Sequence, residues 1–194
     1  YHMISVQEAL DLILEQSLPM ETEETDLLDA MGHVLAEPVK ADRDAPPFHR
    51  VTMDGIAIDS SSLKANSSYK IENIQAAGHA QLRLNDRNSC IEVMTGAILP
   101  ENTDCVIPYE QIKLTDGIAV LESKEHLPLQ CIHLKGTDAK IGDILLAQGK
   151  LITPAMMGVM ASAGISKVKV QKMPKIAICS TGDELVDIEQ EPEI

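Results

Sequence analysis

The sequence predicts an α+β, β-rich fold. Helical periodicity is confined to the first 36 residues and to a stretch opening at Thr153. Between them lie short β-like runs set apart by turn-rich segments, the pattern of a small barrel-like β module. The charge follows the same divisions. Residues 1–46 hold 11 acids and 2 bases, whereas residues 135–172 set Lys135, Lys140, Lys150, Lys167, Lys169 and Lys172 against Asp138 and Asp143. Changes of sign of this kind mark candidate domain edges after residues 46, 134 and 172.

Taken in order, Ser5-Val-Gln-Glu8 has the form of a capping box, and Val6, Ala9, Leu10, Ile13 and Leu14 follow at helical spacing. This predicts a helix over residues 6–17, stopped by Pro19. A short strand from Glu21 to Thr25 leads to a second predicted helix, Leu27–Ala36, ending before Pro38. Strands are then predicted at Tyr69–Ile74, Ile91–Met94, Cys105–Ile107 and Ile118–Leu121, with Asn85-Asp86 and Asp116-Gly117 among the turns. Thr153-Pro154 places an N-cap before a proline at the first helical position, and Gly164 supplies the stop. Ser166–Val170 alternates as a strand. Pro174 introduces a short apolar strand, Lys175–Cys179, that runs into Ser180-Thr-Gly-Asp-Glu184. An open α/β sheet begins in this way, with ligands beyond the strand's carboxyl end, so residues 173–194 are expected to be the truncated start of a further domain.

Composition narrows the function. The 194 residues are 44% hydrophobic and 24% charged, which excludes a disordered or collagen-like chain. A net charge of −14 repels a phosphate backbone and argues against a nucleic-acid partner. One Phe, three Tyr and no Trp predict an aliphatic core filled out with methionine. Cys90, Cys105, Cys131 and Cys179 are far apart and form no C-x-x-C pair, so buried free thiols in a cytoplasmic chain are expected. The stretch Leu151–Ile165 is too short and too interrupted to span a membrane, and no membrane association is expected.

Four turn-like segments could carry chemistry: Met53-Asp54-Gly55 after Pro46-Pro-Phe48, Met94-Thr95-Gly96-Ala97, Lys135-Gly136-Thr137-Asp138, and Ser180-Thr181-Gly182-Asp183-Glu184. Each sets a carboxylate or hydroxyl beside glycine. Glycine lets the backbone turn sharply and approach a ligand, while the oxygen can meet a hard cation or accept a proton. Singly, each also reads as an ordinary turn or a capping box.

In their order the segments resemble a known family. Asp29-Ala-Met-Gly-His-Val-Leu-Ala36, Asp44-Ala-Pro-Pro-Phe48, Met53-Asp-Gly-Ile-Ala57, Met94-Thr-Gly-Ala-Ile-Leu-Pro100, Gly142-Asp-Ile-Leu-Leu146, Leu151-Ile-Thr-Pro154 and Ser180-Thr-Gly-Asp-Glu-Leu185 are similar to the ordered signatures of MoeA, the molybdopterin molybdenumtransferases, and of the gephyrin E domain. The resemblance covers residues 4–187. It implies proteins of roughly twice this length that act as homodimers, take adenylylated molybdopterin and molybdate, use a divalent cation such as Mg²⁺, and release AMP. It also implies a discontinuous first domain, here 3–45 and 135–172, interrupted by an inserted β-rich domain at 46–134. A doubly wound third domain like the MogA adenylyltransferase, itself a possible partner, would begin at 173–194.

By the same resemblance Asp54, Thr95, Asp138 and Glu184 occupy functional positions, with Gly55, Gly96 and Gly182 against the ligand and Glu184 nearest the cation. Carboxylates holding Mg²⁺ would neutralise a pyrophosphate and a molybdate brought together. Two departures bear on this. His49-Arg50-Val51-Thr52 stands where the family often has Asp-Asn-Ser, and His133-Leu134 stands where it often has two arginines, the better phosphate clamp. A gephyrin-like interaction scaffold, or a dimerisation module without catalysis, is the alternative reading.

Overall fold

A computed structural model describes residues 4–16, 19–180, 182 and 185–190. In chain order the elements are α1 (Val6–Glu15), β1 (Thr22–Asp26), β2 (Val39–Lys40), β3 (Arg50–Val51), β4 (Gly55–Ile58), β5 (Ser68–Gln75), β6 (Ser89–Val93), β7 (Cys105–Pro108), β8 (Ile112–Thr115), β9 (Ile118–Leu121), β10 (Ile132–His133), β11 (Ile144–Leu146), α2 (Pro154–Ser162) and β12 (Lys167–Gln171). They are divided between two compact units, one made of residues 1–37, 147–161 and 165–194, the other of 38–146 and 162–164.

The first unit is assembled from segments far apart in sequence. α1 starts with the expected capping box, Ser5 Oγ accepting from the Glu8 N–H and the Glu8 carboxylate accepting from the Ser5 N–H. None of its residues is buried. β1 pairs antiparallel with β12 from Thr22↔Gln171 to Asp26↔Lys167. The two strands read Thr-Glu-Glu-Thr-Asp and Lys-Val-Lys-Val-Gln, and Lys167 and Lys172 reach Glu24 and Glu21 at 3.3 and 2.7 Å. The lysine-rich return segment is thus, in part, the charge complement of the acidic start. α2 opens as expected, with Thr153 Oγ1 accepting from the Met156 N–H at 3.3 Å.

The helix expected over Leu27–Ala36 is not formed. A short 3₁₀ turn, Leu27–Asp29, is followed by Gly32 at φ +81°, and Val34 and Leu35 extend to bridge Leu151 and Val170. A left-handed glycine and a β-branched residue claimed by a strand neighbour override the helical spacing. Nor is Lys175–Cys179 a strand: those residues are exposed and, among the described residues, pair with no other strand. Apolar side chains alone cannot hold a strand whose backbone groups have no ladder partner.

The second unit holds a six-stranded sheet in the order β7-β4-β6-β5-β9-β8. All its pairs are antiparallel except β5–β6. Side chains alternate between two apolar layers. Ile56, Ile58, Tyr69, Cys90, Cys105 and Ile107 lie in one, and Ala57, Ile91, Val93 and Val106 lie in the other with Val51, Leu84, Ala97 and Leu99. Strands β4 and β7 are therefore buried on every residue and show no alternation of polarity. Asp116 and Gly117, at φ +50° and +75°, make the β8–β9 hairpin turn.

The core is aliphatic, but it is not filled by methionine. Met160 is buried, while Met20, Met31, Met53 and Met173 are exposed, because short strands draw on Ile, Val and Ala instead. Cys90 and Cys105 are buried free thiols, their pKa values pushed up to about 12 chiefly by burial; Cys131 is half-buried and Cys179 is exposed. Among the described residues no helix is long and apolar enough to cross a membrane.

Candidate active site

Sheet register creates the first cluster. β4 runs against β6 with Gly55↔Val93 and against β7 with Gly55↔Pro108, so the residues flanking these pairs, Asp54, Met94-Thr95 and Tyr109, meet at one sheet end. Asp54 Oδ1 accepts the Thr95 N–H at 2.6 Å and the Thr95 hydroxyl at 2.7 Å. These bonds, the hydroxyl's first, hold the exposed Asp54 carboxyl below the usual aspartate range. Tyr109 donates its backbone N–H to the Asp54 carbonyl and its hydroxyl to the Glu92 carboxylate. Burial first, then the bond to Glu92, raises the Tyr109 phenol. It stays a neutral donor beside two carboxylates.

Gly55 has its own reason to be glycine. A Cβ there would lie 2.0 Å from the Ile107 carbonyl oxygen. Gly96 takes φ +86° in the turn that carries Thr95, and its N–H bonds the Val51 carbonyl at 2.9 Å.

The same turn ties this cluster to a second one. β3 is flanked on one side by residues 97–99, through Val51 N–H to Ala97 O and Leu99 N–H to His49 O, and on the other by β10, with Val51↔Ile132 and Arg50↔His133. Arg50 Nη2 donates to His133 Nδ1 at 3.0 Å, and His133 Nε2 meets Asp138 Oδ1 at 2.9 Å. Guanidinium can only donate, so Nδ1 is the acceptor and Nε2 carries the proton toward Asp138. Asp138 is placed by its own backbone as well, its N–H bonding the Ala45 carbonyl at 2.9 Å. Asp44 accepts from the Ile141 N–H at 3.1 Å and lies 3.6 Å from Lys135 Nζ, in a cleft of about 230 Å³ that Arg43 also lines.

Of the residues expected at the site, Asp54 and Thr95 are joined directly, and Asp138 lies across the Arg50–His133 pair on the ladder that continues from them. Gly182 has φ +144° in the first unit, and Glu184 lies outside the described residues. Sequence reasoning missed Arg50, His133, Glu92 and Tyr109 as participants. The signal for Arg50 and His133 was present as two departures from one pattern, whose common cause is that they face each other across β3 and β10. Among the described residues no three His, Cys, Asp or Glu side chains gather as a metal cage.

A family model described as the MoeA N-terminal region, domains I and II, matches residues 4–164. The chain belongs to the MoeA family. It is 38% identical over 194 residues to a molybdopterin molybdenumtransferase of Synechocystis sp., covering 99% of this chain and 50% of that protein. It is 35% identical to one of Staphylococcus epidermidis, covering 98% of this chain and 46% of that protein. A crystal structure of a molybdopterin biosynthesis MoeA protein from Pyrococcus horikoshii superposes with a TM-score of 0.81 at 27% identity, over 99% of this chain and 50% of that one. The chain thus spans about half the length of these MoeA relatives.

Proposed function

We propose that the whole protein to which this chain contributes transfers molybdenum from molybdate onto adenylylated molybdopterin, with release of AMP. The single observation that carries the reading is the register that delivers Asp54 and Thr95, two residues of separate family signatures, into one hydrogen-bonded pair. Asp54 is held ionised, able to orient a water or receive its proton. Thr95 fixes the carboxylate and keeps its oxygen lone pairs for a ligand donor. Arg50 and Lys135 set two cationic side chains along the adjacent ladder, which suits a substrate carrying several negative charges. In this reading Arg50 supplies a guanidinium beside His133.

Glu184 is the carboxylate assigned to the divalent cation, and Gly55, Gly96 and Gly182 to the ligand-facing turns. The discontinuous domain at 3–45 and 135–172, the insertion at 46–134, the MogA-like continuation after 173, the homodimer, the MogA-like partner and the cytoplasmic location belong to the same proposal. The pairing of β1 with β12 supports the discontinuity. The uncovered apolar side chains Val6, Ile13 and Leu14 on α1 support a partner subunit, and equally a scaffold or dimerisation role.

The test is AMP release from adenylylated molybdopterin by the full-length protein with Asp54→Asn and, separately, Glu184→Ala. Loss of turnover with the dimer intact supports the assignment. Unchanged turnover removes that residue from the site. This chain alone, run beside it, is expected to insert no molybdenum.

A further inference from the structure

Away from the Asp54 and Asp138 clusters, the second unit contains a cleft of about 330 Å³ lined by Ser60, Leu63, Lys64, Lys124, His126 and Pro128. His126 is 8% exposed, and among the described residues its Nε2 has no hydrogen-bond partner. The polarity of that nitrogen follows from its neighbours. Gln130 Oε1 accepts the Leu127 N–H at 3.3 Å, which turns the Gln130 amide nitrogen toward His126 Nδ1, also at 3.3 Å. An amide nitrogen only donates, so Nδ1 accepts and Nε2 carries the hydrogen. The result is a buried donor with nothing to donate to, an arrangement that costs free energy until an acceptor is supplied.

Everything else charged in the cleft wall also donates. Lys64 and Lys124 are exposed and form no ion pair with the described residues. Two carboxylates beside Ser60 are engaged by backbone and hydroxyl donors. Asp104 accepts the Ser60 N–H and hydroxyl, both at 2.7 Å, and Asp59 accepts the Ser61 N–H at 2.9 Å. The loop that carries His126 and Gln130 is also held in an uncommon conformation, with Leu129 and Cys131 at φ +66° and +54°. Its position is tied down by the Leu129 N–H bonded to the Asp104 carbonyl at 2.6 Å.

We propose that this cleft binds a compact oxyanion, phosphate or carboxylate, with His126 Nε2–H as the buried donor and Lys64 and Lys124 closing over the charge. The site is independent of the transferase reading. A single acceptor group satisfies the orphan N–H, and two flexible ammonium groups can reach over it without ordering a loop.

The test uses the 194-residue chain, ¹⁵N-labelled, with the His126 side-chain nitrogens and the amides of residues 126–131 followed by NMR. Inorganic phosphate and acetate are titrated separately at constant ionic strength, with chloride as the reference anion. Saturable shifts with one or both, weakened at least tenfold in Lys64→Ala/Lys124→Ala, are expected. The anion that saturates at lower concentration distinguishes phosphate from carboxylate as the ligand. Both lysines are exposed, so that variant keeps the fold. Shifts that chloride reproduces, or that persist undiminished in the double variant, overturn the proposal, as does the absence of any shift.

Discussion

Thr95 spends both its donors on one oxygen of Asp54, at 2.6 and 2.7 Å, although 41 residues separate them in the chain. Because the hydroxyl bond is the larger cause of the lowered carboxyl pKa, Thr95→Val should raise the Asp54 titration toward the ordinary aspartate value, and Thr95→Ser should not. The sign for stability follows. A depressed carboxyl contributes above its unfolded value, and that contribution is lost as pH falls through the folded value. A ¹³C titration of the Asp54 carboxyl that is identical in wild type and Thr95→Val would sink the assignment.

Two glycine substitutions should move stability in opposite directions. Gly55→Ala forces a methyl to within 2.0 Å of the Ile107 carbonyl oxygen, so β4 and β7 must separate, at a cost of about 3 kcal/mol or more. Gly158→Ala adds a methyl inside α2 where nothing lies within 4 Å, and should stabilise by roughly 0.5–1 kcal/mol. Urea denaturation of the two variants checks both signs.

His133→Arg should be harmful alone and tolerated together with Arg50→Ser. The first change sets two guanidinium groups where Arg50 Nη2 now meets His133 Nδ1 at 3.0 Å, and the second removes the conflict. The coupling expected between half-exposed charges is about 0.5 kcal/mol. A double-mutant cycle by thermal unfolding measures it, and strict additivity would show that the two positions do not communicate.

Acid should loosen the β1–β12 ladder. The Lys172 ammonium, 2.7 Å from Glu21, lowers the Glu21 carboxyl and is itself raised. Stability from this pair is present between the two values, lost at low pH as Glu21 protonates below its unfolded value, and lost at high pH as Lys172 deprotonates. In Lys172→Ala, amide hydrogen exchange in β1 should change less between neutral and acidic pH than in the wild type. An equal change in both would assign the acid response elsewhere.

What the sequence disclosed depended on how far each signal reached. Local chemistry was readable: the Ser5–Glu8 capping box, Thr153-Pro154 at the head of α2 and Asp116-Gly117 at the hairpin are each settled within a few residues. Strands with long partners were found near their true limits, Ile118–Leu121 among them. β4 was missed because Gly-Ile-Ala-Ile has no alternation, and it has none because both faces are covered. The Leu27–Ala36 helix failed for the complementary reason, since its fate is decided by Leu151 and Val170 well over a hundred residues later. Asp54, Thr95 and Asp138 were visible as members of ordered signatures. Arg50 and His133 required the pairing of β3 with β10 before either could be seen as the other's partner.

The ladder joining Thr22–Asp26 to Lys167–Gln171 has a temporal side. A chain made from its amino end exposes β1 early, yet all six strands of the large sheet, from Gly55 to Leu121, leave the ribosome before β12 exists. β1, made long before β12, is therefore among the last strands to be locked. Until the lysines of β12 arrive, the string Thr-Glu-Glu-Thr-Asp waits as an acidic tether whose like charges discourage it from finding a wrong edge.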